Sequence, residues 1–380
     1  MPSPFPYDLA LVLLGDVSTS SRALRQVRAL VEAGVRVLAL GVSPLRDPAA
    51  LADGVDVRTV EVPEVRGPAY FAAAHRALRR ALGTVQARVL LASDLHVLPA
   101  CASAAAASGA WLVYDAREYY PGLDAAGRPW VRWAWGAIER RYVSRADRVF
   151  TVNGAIADAM ASRYGIERPA VVRNVSDAPA EGLPATGELR ARLGLDPETP
   201  LVLYQGLFRE GRGLLPLADA MQDVPEAALV CIGEGPLEDA LRECAQRQRL
   251  HLLPFTPPDA LRRLTPDATL GAILARPLTE SLRMGLPNKL FEYAAAGVPT
   301  LAGSGIEPLA ALVRQFDAGI AVDPDQPEAV THALRTVLLD PETRREMREG
   351  ARALHRAHSW ERERETFLTA LSPLLDADHA

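Results

Sequence analysis

Residues 8–42 and 200–233 follow the same order of local patterns, and this repetition limits the fold more than any other feature of the chain. Each segment opens with a continuous apolar run typical of a buried strand. A polar loop with glycine, an apolar stripe at helical spacing and a second apolar run follow. Continuous apolar strands joined by crossover helices indicate a parallel sheet that is covered on both faces. We therefore expect an α/β protein with two doubly wound, Rossmann-like domains.

Shorter apolar runs extend the two predicted sheets and indicate where the domains divide. These runs cover residues 87–93, 110–115, 148–153, 268–274 and 298–303. The stretch at 176–188 is rich in proline, glycine and small polar residues, which is typical of a linker. We predict an N-terminal domain over 1–178, a linker over 179–198, a C-terminal domain over 199–356 and a final segment over 357–380. The helix in that last segment is expected to pack back on the N-terminal domain.

The composition places the chain in the soluble globular class. Among its 380 residues, 49% are hydrophobic and 23% are charged, and the length corresponds to about two or three domains. The formal net charge is −5, with acidic and basic residues interspersed. That balance argues against a protein whose affinity for nucleic acid comes from an overall basic field. We expect no nucleic-acid partner, and the sequence leaves the oligomeric state open.

The cysteines and the first residues bear on the cellular compartment. Cys101, Cys231 and Cys244 are an odd set without metal-ligand spacing, as expected for thiols in a reducing compartment. The sequence begins MPSPFPYD, which lacks the charged region of a secretion signal, and the apolar run at 9–14 is too short to span a bilayer. We expect a cytoplasmic protein whose contact with the inner face of a membrane, if any, is peripheral.

The loops that follow the predicted strands carry the functional prediction, because ligands of doubly wound sheets bind beyond the carboxyl ends of the strands. Two such domains that face one another would form a cleft lined by loops from both. In the second half these loops contain FREGRGL, GEGP, PFTPP and RPLTESLRMGLPNK. In the first half they contain GDVSTSSR, SDLHVLP and DAREYYPG.

The segment at 285–300, GLPNKLFEYAAAGVPT, predicts a short helix whose first turn can hold a phosphorylated ligand. Pro287 suits the first helical position and Gly297 suits the C-terminal cap. A helix N-terminus favours an anion, and Lys289 adds a full positive charge there. Glu292 lies on the same face, where its carboxylate can accept hydrogen bonds from sugar hydroxyls. For this helix taken in isolation, we would favour an ordinary amphipathic helix with a surface Lys–Glu pair.

Arginines in the loop FREGRGL add a second source of positive charge in the same half. The guanidinium groups of Arg209 and Arg212 can donate bidentate hydrogen bonds to a diphosphate. Together with Lys289, they favour a phosphate site more strongly than either feature does alone. Gly233 and Gly235 of the GEGP segment allow close approach of a flat ring or a phosphate, although a plain tight turn fits them at least as well.

The loops of the first half supply groups that can orient a hydroxyl or accept its proton. Asp94 and His96 follow one strand, and Asp115, Arg117 and Glu118 follow the next. A capping role for Asp94 and a partly buried ring for His96 fit equally well. Arg117 does not deprotonate, so it can only bind charge or donate hydrogen bonds. The expected acceptor or cleft set is Gly15, Asp16, Asp94, His96, Asp115, Arg117 and Glu118.

The segment at 128–148 combines three tryptophans with several arginines. Indoles favour the membrane interface and arginines attract anionic lipid, so such a segment can rest on a membrane surface. Tryptophans in a helix of this kind more often pack it against its own domain, and we prefer that interpretation for Trp130, Trp133 and Trp135. The surface alternative points to a lipid-linked acceptor.

Two Asp-x-Asp triplets occur, but we assign neither to a metal. Asp323 and Asp325 precede a predicted helix and suit an N-cap, whereas Asp376 and Asp378 lie in the tail. No loop carries three glycines in the spacing of a dinucleotide fingerprint. We therefore expect neither a metal site nor a tightly bound cofactor.

In chain order, the most specific motifs are LVYDAREYYPG, ADRVFTVNGAIADAMASRYG, VVRNVSD, LYQGLFREGRGL, CIGEGP, LPNKLFEYAAAGVPT and SWERE. Together they resemble glycosyltransferase family 4, a group of retaining, nucleotide-sugar-dependent enzymes with the GT-B fold, and within it the branch with an LPNKLFEY segment. The similarity extends over almost the whole chain. It implies a donor nucleotide in the C-terminal domain, acceptor contacts from the N-terminal domain, and a final helix that crosses back to the first domain.

The resemblance also implies roles for single residues. Arg212 matches the family's diphosphate-binding cation, and Glu292 matches the second glutamate of its Glu-seven-residues-Glu motif, which is expected on the ribose hydroxyls. The expected catalytic set is Arg212, Lys289 and Glu292. The expected donor-binding set is Gly206, Arg209, Arg212, Gly233, Gly235, Leu286, Pro287, Asn288, Lys289 and Glu292.

Three positions depart from the family pattern. Met284 stands where the first glutamate is expected, Leu207 stands where many members carry arginine, and Arg117 replaces a common histidine. The sequence therefore does not assign the residue that contacts the donor sugar. The candidates to compensate for the missing carboxylate are Glu280, Asn288 and Lys289.

The leading interpretation is a hexosyl- or related glycosyltransferase that moves a sugar from a UDP-, GDP- or ADP-sugar to the hydroxyl of a glycan, a glycolipid or a small molecule. Fixed positive charge at Arg212 and Lys289 would stabilise the departing diphosphate without a metal. A nucleotide-sugar epimerase of the same fold and a non-catalytic nucleotide-sugar-binding protein are alternatives, the latter because of Met284 and Arg117. An NAD-dependent oxidoreductase is a weaker alternative because the glycine fingerprint is missing.

Overall fold

The computed structural model describes residues 5–123, 128–246 and 249–376. The chain divides into two compact units, Met1–Asn174 together with Arg362–Ala380, and Val175–Glu361. We call them unit 1 and unit 2. Within the described residues, each unit contains one parallel sheet flanked by helices. The prediction of two doubly wound, Rossmann-like folds is therefore confirmed.

Seven strands form the sheet of unit 1 within the described residues. They are β1 (Tyr7–Leu13), β2 (Val37–Gly41), β3 (Asp56–Thr59), β4 (Ala87–Ser93), β5 (Trp111–Ala116), β6 (Arg148–Thr151) and β7 (Ala170–Val171). Their order is β3-β2-β1-β4-β5-β6-β7, and every neighbouring pair is parallel. β1 lies between β2 and β4, with Leu9 opposite both Val37 and Val89. This central position explains why β1 is a continuous apolar run.

Helices flank the sheet of unit 1, and their ends follow local side-chain chemistry. They are α1 (Ser21–Glu32), α2 (Pro68–Leu82), α3 (Leu98–Ser108), α4 (Pro129–Val143) and α5 (Gly154–Tyr164). α1 begins where the side chain of Ser20 accepts the backbone N–H of Ala23, and Asn153 caps α5 in the same way. α3 ends at Gly109, whose φ of 77° suits glycine.

Six strands form the sheet of unit 2 within the described residues. They are β8 (Leu201–Gln205), β9 (Ala228–Ile232), β10 (Leu250–Leu253), β11 (Leu270–Ile273), β12 (Thr300–Gly303) and β13 (Gly319–Val322). Their order is β10-β9-β8-β11-β12-β13, again with every neighbouring pair parallel. β8 lies where the strand order reverses, between β9 and β11.

The helices of unit 2 alternate with these strands. They are α6 (Glu188–Leu193), α7 (Leu214–Met221), α8 (Glu238–Ala245), α9 (Pro258–Leu264), α10 (Glu280–Met284), α11 (Asn288–Ala295), α12 (Glu307–Gln315), α13 (Pro327–Leu339) and α14 (Pro341–Ala357). The helix predicted at 285–300 is α11. Pro287 is its N-cap rather than its first helical residue, and Gly297, with φ of 61°, follows its C-cap.

The expected cap of α13 at Asp323 is wrong. The N-cap is Gln326, and Asp323 instead accepts the backbone N–H of Asp325 at 3.0 Å. Pro327 occupies the first helical position and sets the start of α13. The side chain of Asp323 is four residues earlier and is already used in its own turn. In the second triplet, Asp378 lies outside the described residues.

Alternate residues of β8 belong to two different hydrophobic clusters. Leu201 and Leu203 pack with Phe291 of α11, whereas Val202 and Tyr204 pack with apolar residues of α7 and α13. Both faces of this strand are therefore covered, which is why its sequence shows a continuous apolar run rather than an alternation.

The segment at 179–198, predicted as a linker, contains α6 and is attached to unit 2. Leu189 of α6 is fully buried. Asp267, just before β11, accepts backbone hydrogen bonds from Thr186, Gly187 and Leu189 at 2.7, 2.7 and 2.8 Å. One buried carboxylate thus fixes the start of α6 to the sheet of this unit.

The final described helix, α15 (Trp360–Asp376), belongs to unit 1 from Arg362 onward. Phe367 is buried, with its ring centre 5.3 Å from that of Phe150 in β6. Glu363 accepts hydrogen bonds from the backbone and side chain of Arg173 at 2.7 and 3.1 Å. The closing segment therefore completes the core of the unit in which the chain begins.

Candidate functional site

Unit 2 has a topological switch point at the carboxyl ends of β8 and β11, the place where ligands of doubly wound sheets bind. Gly206 follows β8 directly. Lys289, in the first turn of α11, lies beside Gly206. A Cβ atom on Gly206 would be only 2.8 Å from Lys289 Nζ. The structure therefore brings the predicted lysine and the predicted glycine together.

Close approach of two loops at this switch point depends on glycine. Gly206 and Gly233 have φ values of 126° and 152°, which residues with side chains rarely adopt. A side chain on Gly233 would collide with the carbonyl oxygen of Gly206, and one on Gly235 would collide with that of Phe208. The loops after β8 and β9 can lie against one another for this reason. Because Gly206 has no side chain, the ammonium group of Lys289 lies directly over the loop backbone.

Positive charge dominates beside Gly206. Lys289 Nζ lies 5.5 Å from the ring centre of Tyr204, and Arg212 is near enough to repel it. Burial lowers the pKa of Lys289 and the charge of Arg212 lowers it further, whereas Glu292 raises it. Lys289 and Arg212 are two cations that repel one another, and Glu292 acts on Lys289 in the opposite sense. A further anion such as a diphosphate would relieve this repulsion.

Glu292 of α11 is held by hydrogen-bond partners that sequence reasoning missed. Its carboxylate accepts a hydrogen bond from the side-chain amide of Gln205, the last residue of β8. Gln205 is buried, and its carbonyl oxygen accepts a hydrogen bond from Thr265 Oγ1 at 3.1 Å. The available signal was a glutamine that closes an otherwise apolar strand, LVLYQ.

The structure separates the two predicted arginines of the loop after β8. Arg212 is close to the lysine of α11. Arg209 lines a cavity of about 300 Å³ together with Arg276 and Leu278. Of the two arginines, Arg212 is thus the one that joins the charged site.

The other predicted donor residues have different surroundings. Leu286 packs against the hydrophobic core, while Asn288 is exposed at the first position of α11, after Pro287. Met284 ends the five-residue helix α10, and Glu280 begins it and is exposed. Glu280 therefore places a carboxylate on the same short helix as Met284, where the expected glutamate is missing.

Unit 1 has its own switch point at the carboxyl ends of β1 and β4. Asp94, directly after β4, has a φ of 126°, which is unusual for a residue with a side chain. Its Oδ1 atom accepts the backbone N–H of His96 at 3.0 Å and lies 2.5 Å from Nδ1 of the same residue. Burial would raise the pKa of Asp94, but hydrogen bonds from His96 and Tyr120 outweigh it and lower this pKa. The result is an ordered carboxylate–imidazole pair.

Three aromatic side chains surround the His96 ring, an enclosure that sequence reasoning missed. Phe71 of α2 stacks on the imidazole, with ring centres 4.8 Å apart. Tyr120 and Trp135 meet it edge-on at 5.8 and 6.1 Å. Nε2 of His96 has no hydrogen-bond partner in the described part of the chain, so it can face a hydroxyl. Nothing in the local sequence links these residues, because they lie on different elements.

Arg117 links the start of α1 to the end of β4 at this switch point. Its guanidinium group donates hydrogen bonds to Ser20 Oγ at 3.2 Å and to Ser93 Oγ at 2.6 Å. Burial lowers the pKa of Arg117, while Asp115 and Asp94 raise it. Its buried Nε atom has no partner among the described residues. Arg117 thus supplies fixed positive charge close to the carboxylate of Asp94.

Asp115 is already occupied within unit 1. Arg22 donates to its two carboxylate oxygens at 2.6 and 2.7 Å, and Gln26 donates a third hydrogen bond at 2.9 Å. The side chain has no exposed surface. Burial would raise the pKa of Asp115, but the charge of Arg22 outweighs it and lowers this pKa. Asp115 therefore ties β5 to α1.

Gly15 and Asp16 also serve the local backbone. The carbonyl oxygen of Gly15 accepts two backbone hydrogen bonds from the loop after β2. The carboxylate of Asp16 accepts the backbone N–H groups of Ser18 and Arg46 at 2.8 and 2.9 Å. Glu118, the last member of the predicted set, is exposed. The structure thus brings Asp94, His96 and Arg117 together. It gives Gly15 and Asp16 structural contacts instead.

A buried carboxyl on α4 was not anticipated. Glu139 accepts hydrogen bonds from the hydroxyls of Tyr114 and Tyr164 at 2.7 and 2.6 Å. Burial raises the pKa of Glu139 to about 7, although the two tyrosine hydrogen bonds act in the opposite direction. Glu139 was missed because it stands among arginines, a pattern typical of an exposed helix face.

The tryptophans of α4 contradict one expectation. Trp135 is partly buried, but Trp130 and Trp133 expose 57% and 76% of their surface. The prediction that all three pack the helix on its own domain is therefore wrong for Trp130 and Trp133. They lie three residues apart on the outer face of α4, whereas Glu139 and Val143 are buried. Among the described residues, no helix combines the length and the apolar character that crossing a bilayer requires.

Two family models match the chain, one in each unit. Residues 19–174 match the Glycosyl transferase 4-like domain, and residues 186–354 match Glycosyl transferases group 1. Together, these matches support a family 4-like glycosyltransferase. The first range contains the Asp94–His96 pair and Arg117, and the second contains Arg212 and Lys289.

A relative in Xylanimonas cellulosilytica aligns with part of the chain. It is a D-inositol 3-phosphate glycosyltransferase, 30% identical over 182 residues. The match covers 46% of this chain and 42% of that protein. The chain therefore aligns with less than half the length of the relative.

Solved structures share the fold over nearly the whole chain. Sucrose-phosphate synthase from Thermosynechococcus elongatus superposes with a TM-score of 0.74 at 16% identity, covering 97% of this chain and 99% of that one. Anabaena HepE in complex with UDP-glucose gives 0.73 at 16% identity, covering 96% and 99%. At such identities the likeness concerns the fold alone. The predicted GT-B fold is therefore confirmed.

Proposed function

We propose that this chain transfers a sugar from a nucleoside diphosphate sugar to an acceptor hydroxyl. The observation that carries the proposal is the position of Lys289 Nζ over Gly206, with Arg212 beside it, at the end of β8. This position combines positive charge with open backbone at the switch point of a doubly wound sheet. A diphosphate meets both requirements.

In the proposed reaction, the bond between the anomeric carbon and the β-phosphate oxygen breaks, and the acceptor oxygen forms a bond to that carbon. Negative charge develops on the departing diphosphate. Arg212 and Lys289 would stabilise it, and the N-terminal dipole of α11 adds to their effect. With retention of configuration, which follows from the family resemblance, the acceptor attacks on the face that the leaving group vacates. Its proton then passes to the departing phosphate oxygen.

We propose that Glu292 binds the ribose hydroxyls of the donor. Gln205 holds its carboxylate, and Thr265 holds Gln205 in turn. A carboxylate fixed in this way still has acceptor capacity for two hydroxyls. Because Met284 offers no carboxylate, we assign the donor sugar to groups at the start of α11, where Asn288 is exposed.

We propose that the Asp94–His96 pair orients the acceptor hydroxyl in unit 1. The contact between Asp94 Oδ1 and His96 Nδ1 leaves Nε2 as the ring atom that meets a hydroxyl. Phe71 and Trp135 add apolar surface beside the ring. Arg117 adds fixed positive charge, which suits an acceptor that carries an anionic group.

A ligand screen followed by product analysis tests the function. A ligand that binds only the folded protein raises its stability, so one nucleotide among UDP, GDP and ADP, with its sugars, should raise the Tm. HepE was solved with UDP-glucose, which makes UDP ligands the first choice. With an acceptor present, the stabilising donor should release the nucleoside diphosphate and form a glycoside. Isomerisation of the donor without acceptor would identify an epimerase, and binding without turnover would identify a binding protein.

Substitutions of the two cations separate their roles from general damage. Arg212→Ala and Lys289→Ala should each weaken the nucleotide-dependent rise in Tm. Arg314→Ala is the matched control, because it removes an exposed arginine of unit 2 that pairs with Glu307 at 2.9 Å. Unchanged donor turnover in both cation variants would contradict the proposal.

A further inference from the structure

Helix α4 of unit 1 presents an apolar surface that no other part of the described chain covers. Trp130 and Trp133 are exposed by 57% and 76%, and Ile138 is exposed by 37%. A packed tryptophan normally buries a large area, so two exposed indoles on one helix are unusual for a surface that meets only water. Trp130 and Trp133 are three residues apart and therefore neighbours on the helix surface, and neighbouring exposed apolar residues mark an interaction surface.

The exposed side of α4 is also basic. Five arginines in and beside the helix are exposed, namely Arg128, Arg132, Arg140, Arg141 and Arg145. The only acidic residue at 128–146 is Glu139, which is 1% exposed and bonded to two tyrosines. We call these five arginines, with Trp130, Trp133 and Ile138, the Trp–Arg surface. It is locally cationic although the whole chain has a net charge of −5.

Within the Trp–Arg surface, the two tryptophans lie near the start of α4, and the arginines extend along its whole length. Trp130 and Trp133 lie in the first two turns of α4, whereas Arg141 lies in its last turn and Arg145 lies just beyond its end. The guanidinium groups of Arg141 and Arg145 lie 5.8 and 5.3 Å from the ring centre of Tyr142. Indoles prefer the boundary between headgroups and hydrocarbon, and guanidinium groups attract lipid phosphates. The mixture therefore matches an anionic bilayer better than it matches water alone.

We propose that the Trp–Arg surface docks on an anionic lipid surface. α4 lies in the plane of the interface, with Trp130 and Trp133 among the headgroups and Arg141 and Arg145 on the phosphates. The occupant is a lipid bilayer, since its charge complements the arginines and its interface accepts the indoles.

The docked helix also bears on the acceptor, an inference that rests on the proposed function. Trp135 of α4 is half-buried and lies with its ring centre 6.1 Å from that of His96. Docking through α4 therefore holds the Asp94–His96 pair close to the lipid surface. The acceptor class that this position favours is a hydroxyl carried by a membrane lipid.

Co-sedimentation of the full chain with vesicles tests the docking. Vesicles of phosphatidylcholine alone are compared with vesicles that contain about one third phosphatidylglycerol, at ionic strengths of about 0.1 M and about 1 M. The chain should bind the anionic vesicles at low salt and largely leave them at high salt. Trp130→Ser/Trp133→Ser should lower the partition coefficient at least tenfold. Arg141→Gln/Arg145→Gln should lower it about fivefold for each charge removed.

Two control variants match these changes elsewhere on the chain. Arg79→Gln/Arg80→Gln removes two exposed arginines from the last turn of α2, and Leu339→Ser removes an exposed apolar side chain of unit 2. Both controls should bind vesicles like the wild type. Calorimetric binding of the nucleoside diphosphate should be the same in all of these variants, so a failure of the proposed donor site is seen separately.

Three results would overturn the docking proposal. The first is no binding of the wild type to anionic vesicles at low salt, or equal binding to both kinds of vesicle. The second is a loss of binding in the control variants as large as that in the α4 variants. The third is a wild-type dimer in sedimentation velocity that Trp130→Ser/Trp133→Ser converts to a monomer, without vesicle binding, because the surface would then join two copies of the chain.

Discussion

The two switch points occupy equivalent places in two similar sheets, yet the fold uses their charged residues differently. In unit 2, Lys289 and Arg212 repel one another, and the carboxylate of Glu292 offsets part of that repulsion at Lys289. In unit 1, Asp115 is fully neutralised by Arg22 and has no exposed surface. A charged residue at the carboxyl end of a strand is therefore a ligand group only where the fold has not already supplied its partner.

Asp115→Ala should give the largest effect, on stability rather than on nucleotide binding. Removal of the carboxylate leaves Arg22 buried without its counter-charge, which costs about 3–5 kcal/mol. Urea denaturation measures this loss. Asp8→Ala is the matched control, because Asp8 pairs with a partly exposed arginine on the surface of unit 1 and its loss should cost about 1 kcal/mol or less. Equal losses in the two variants would contradict the structural role of Asp115.

Lys289→Ala should act on catalysis and leave stability nearly unchanged. Loss of one fixed donor to a developing oxyanion typically lowers kcat about 100- to 1,000-fold, or about 2.7–4 kcal/mol. Steady-state kinetics with the identified donor measure this change. Lys289→Arg keeps the charge and should retain part of the rate. A variant that loses stability but keeps its rate per folded molecule would place Lys289 in the same structural class as Asp115.

Glu139→Gln should change the pH dependence of stability in unit 1. Because folding raises the pKa of Glu139 from 4.5 to about 7, the folded unit holds this proton more tightly than the unfolded chain does. Its contribution is fully present below pH 4.5 and is lost as the pH rises to about 7, a difference of about 3 kcal/mol.

Urea denaturation at several pH values from about 4.5 to about 8 checks this sign. Glu139→Gln cannot ionise, and its amide can still bond the two tyrosine hydroxyls, so its stability should fall less over that range. Equal changes of stability with pH in the wild type and in Glu139→Gln over this range would contradict the assignment.

Glu292→Ala should give a smaller effect that depends on the ligand. If the carboxylate binds ribose, the affinity for the nucleoside diphosphate should fall about tenfold, or about 1.4 kcal/mol. Affinity for inorganic pyrophosphate should not fall, because pyrophosphate has no ribose. The substitution also removes a negative charge that repels pyrophosphate in the wild type. Calorimetry with both ligands gives the comparison, and an equal fall for both would remove the proposed role.

The parts of the molecule that were predicted correctly depend on local patterns. The continuous apolar run of β8 required a strand covered on both faces, and the structure covers it on both faces. The cation at the start of α11 could be found because helix termini and strand-end loops have recognisable residues within a few positions. Arg212 and Lys289 each lie in such a segment, and parallel sheet topology places the two segments at one edge.

The parts that were missed depend on partners far away in the sequence. Arg22 and Asp115 are 93 residues apart, and nothing near Asp115 shows that a buried guanidinium will neutralise it. The stacking of Phe71 on His96 likewise joins two different elements. The exposure of Trp133 could not be read from its apolar character, because one helix carries tryptophans on both its inner and its outer sides.

The most direct test of the central claim is calorimetric titration with the stabilising nucleoside diphosphate and with its nucleoside. Hydrogen bonds to charged groups contribute about 1.5–3 kcal/mol each, so the wild type should bind the diphosphate at least 100-fold more tightly than the nucleoside. In Arg212→Ala/Lys289→Ala that ratio should fall close to one, with Arg314→Ala retaining the wild-type ratio. A double variant that keeps the wild-type preference for the diphosphate would contradict the account.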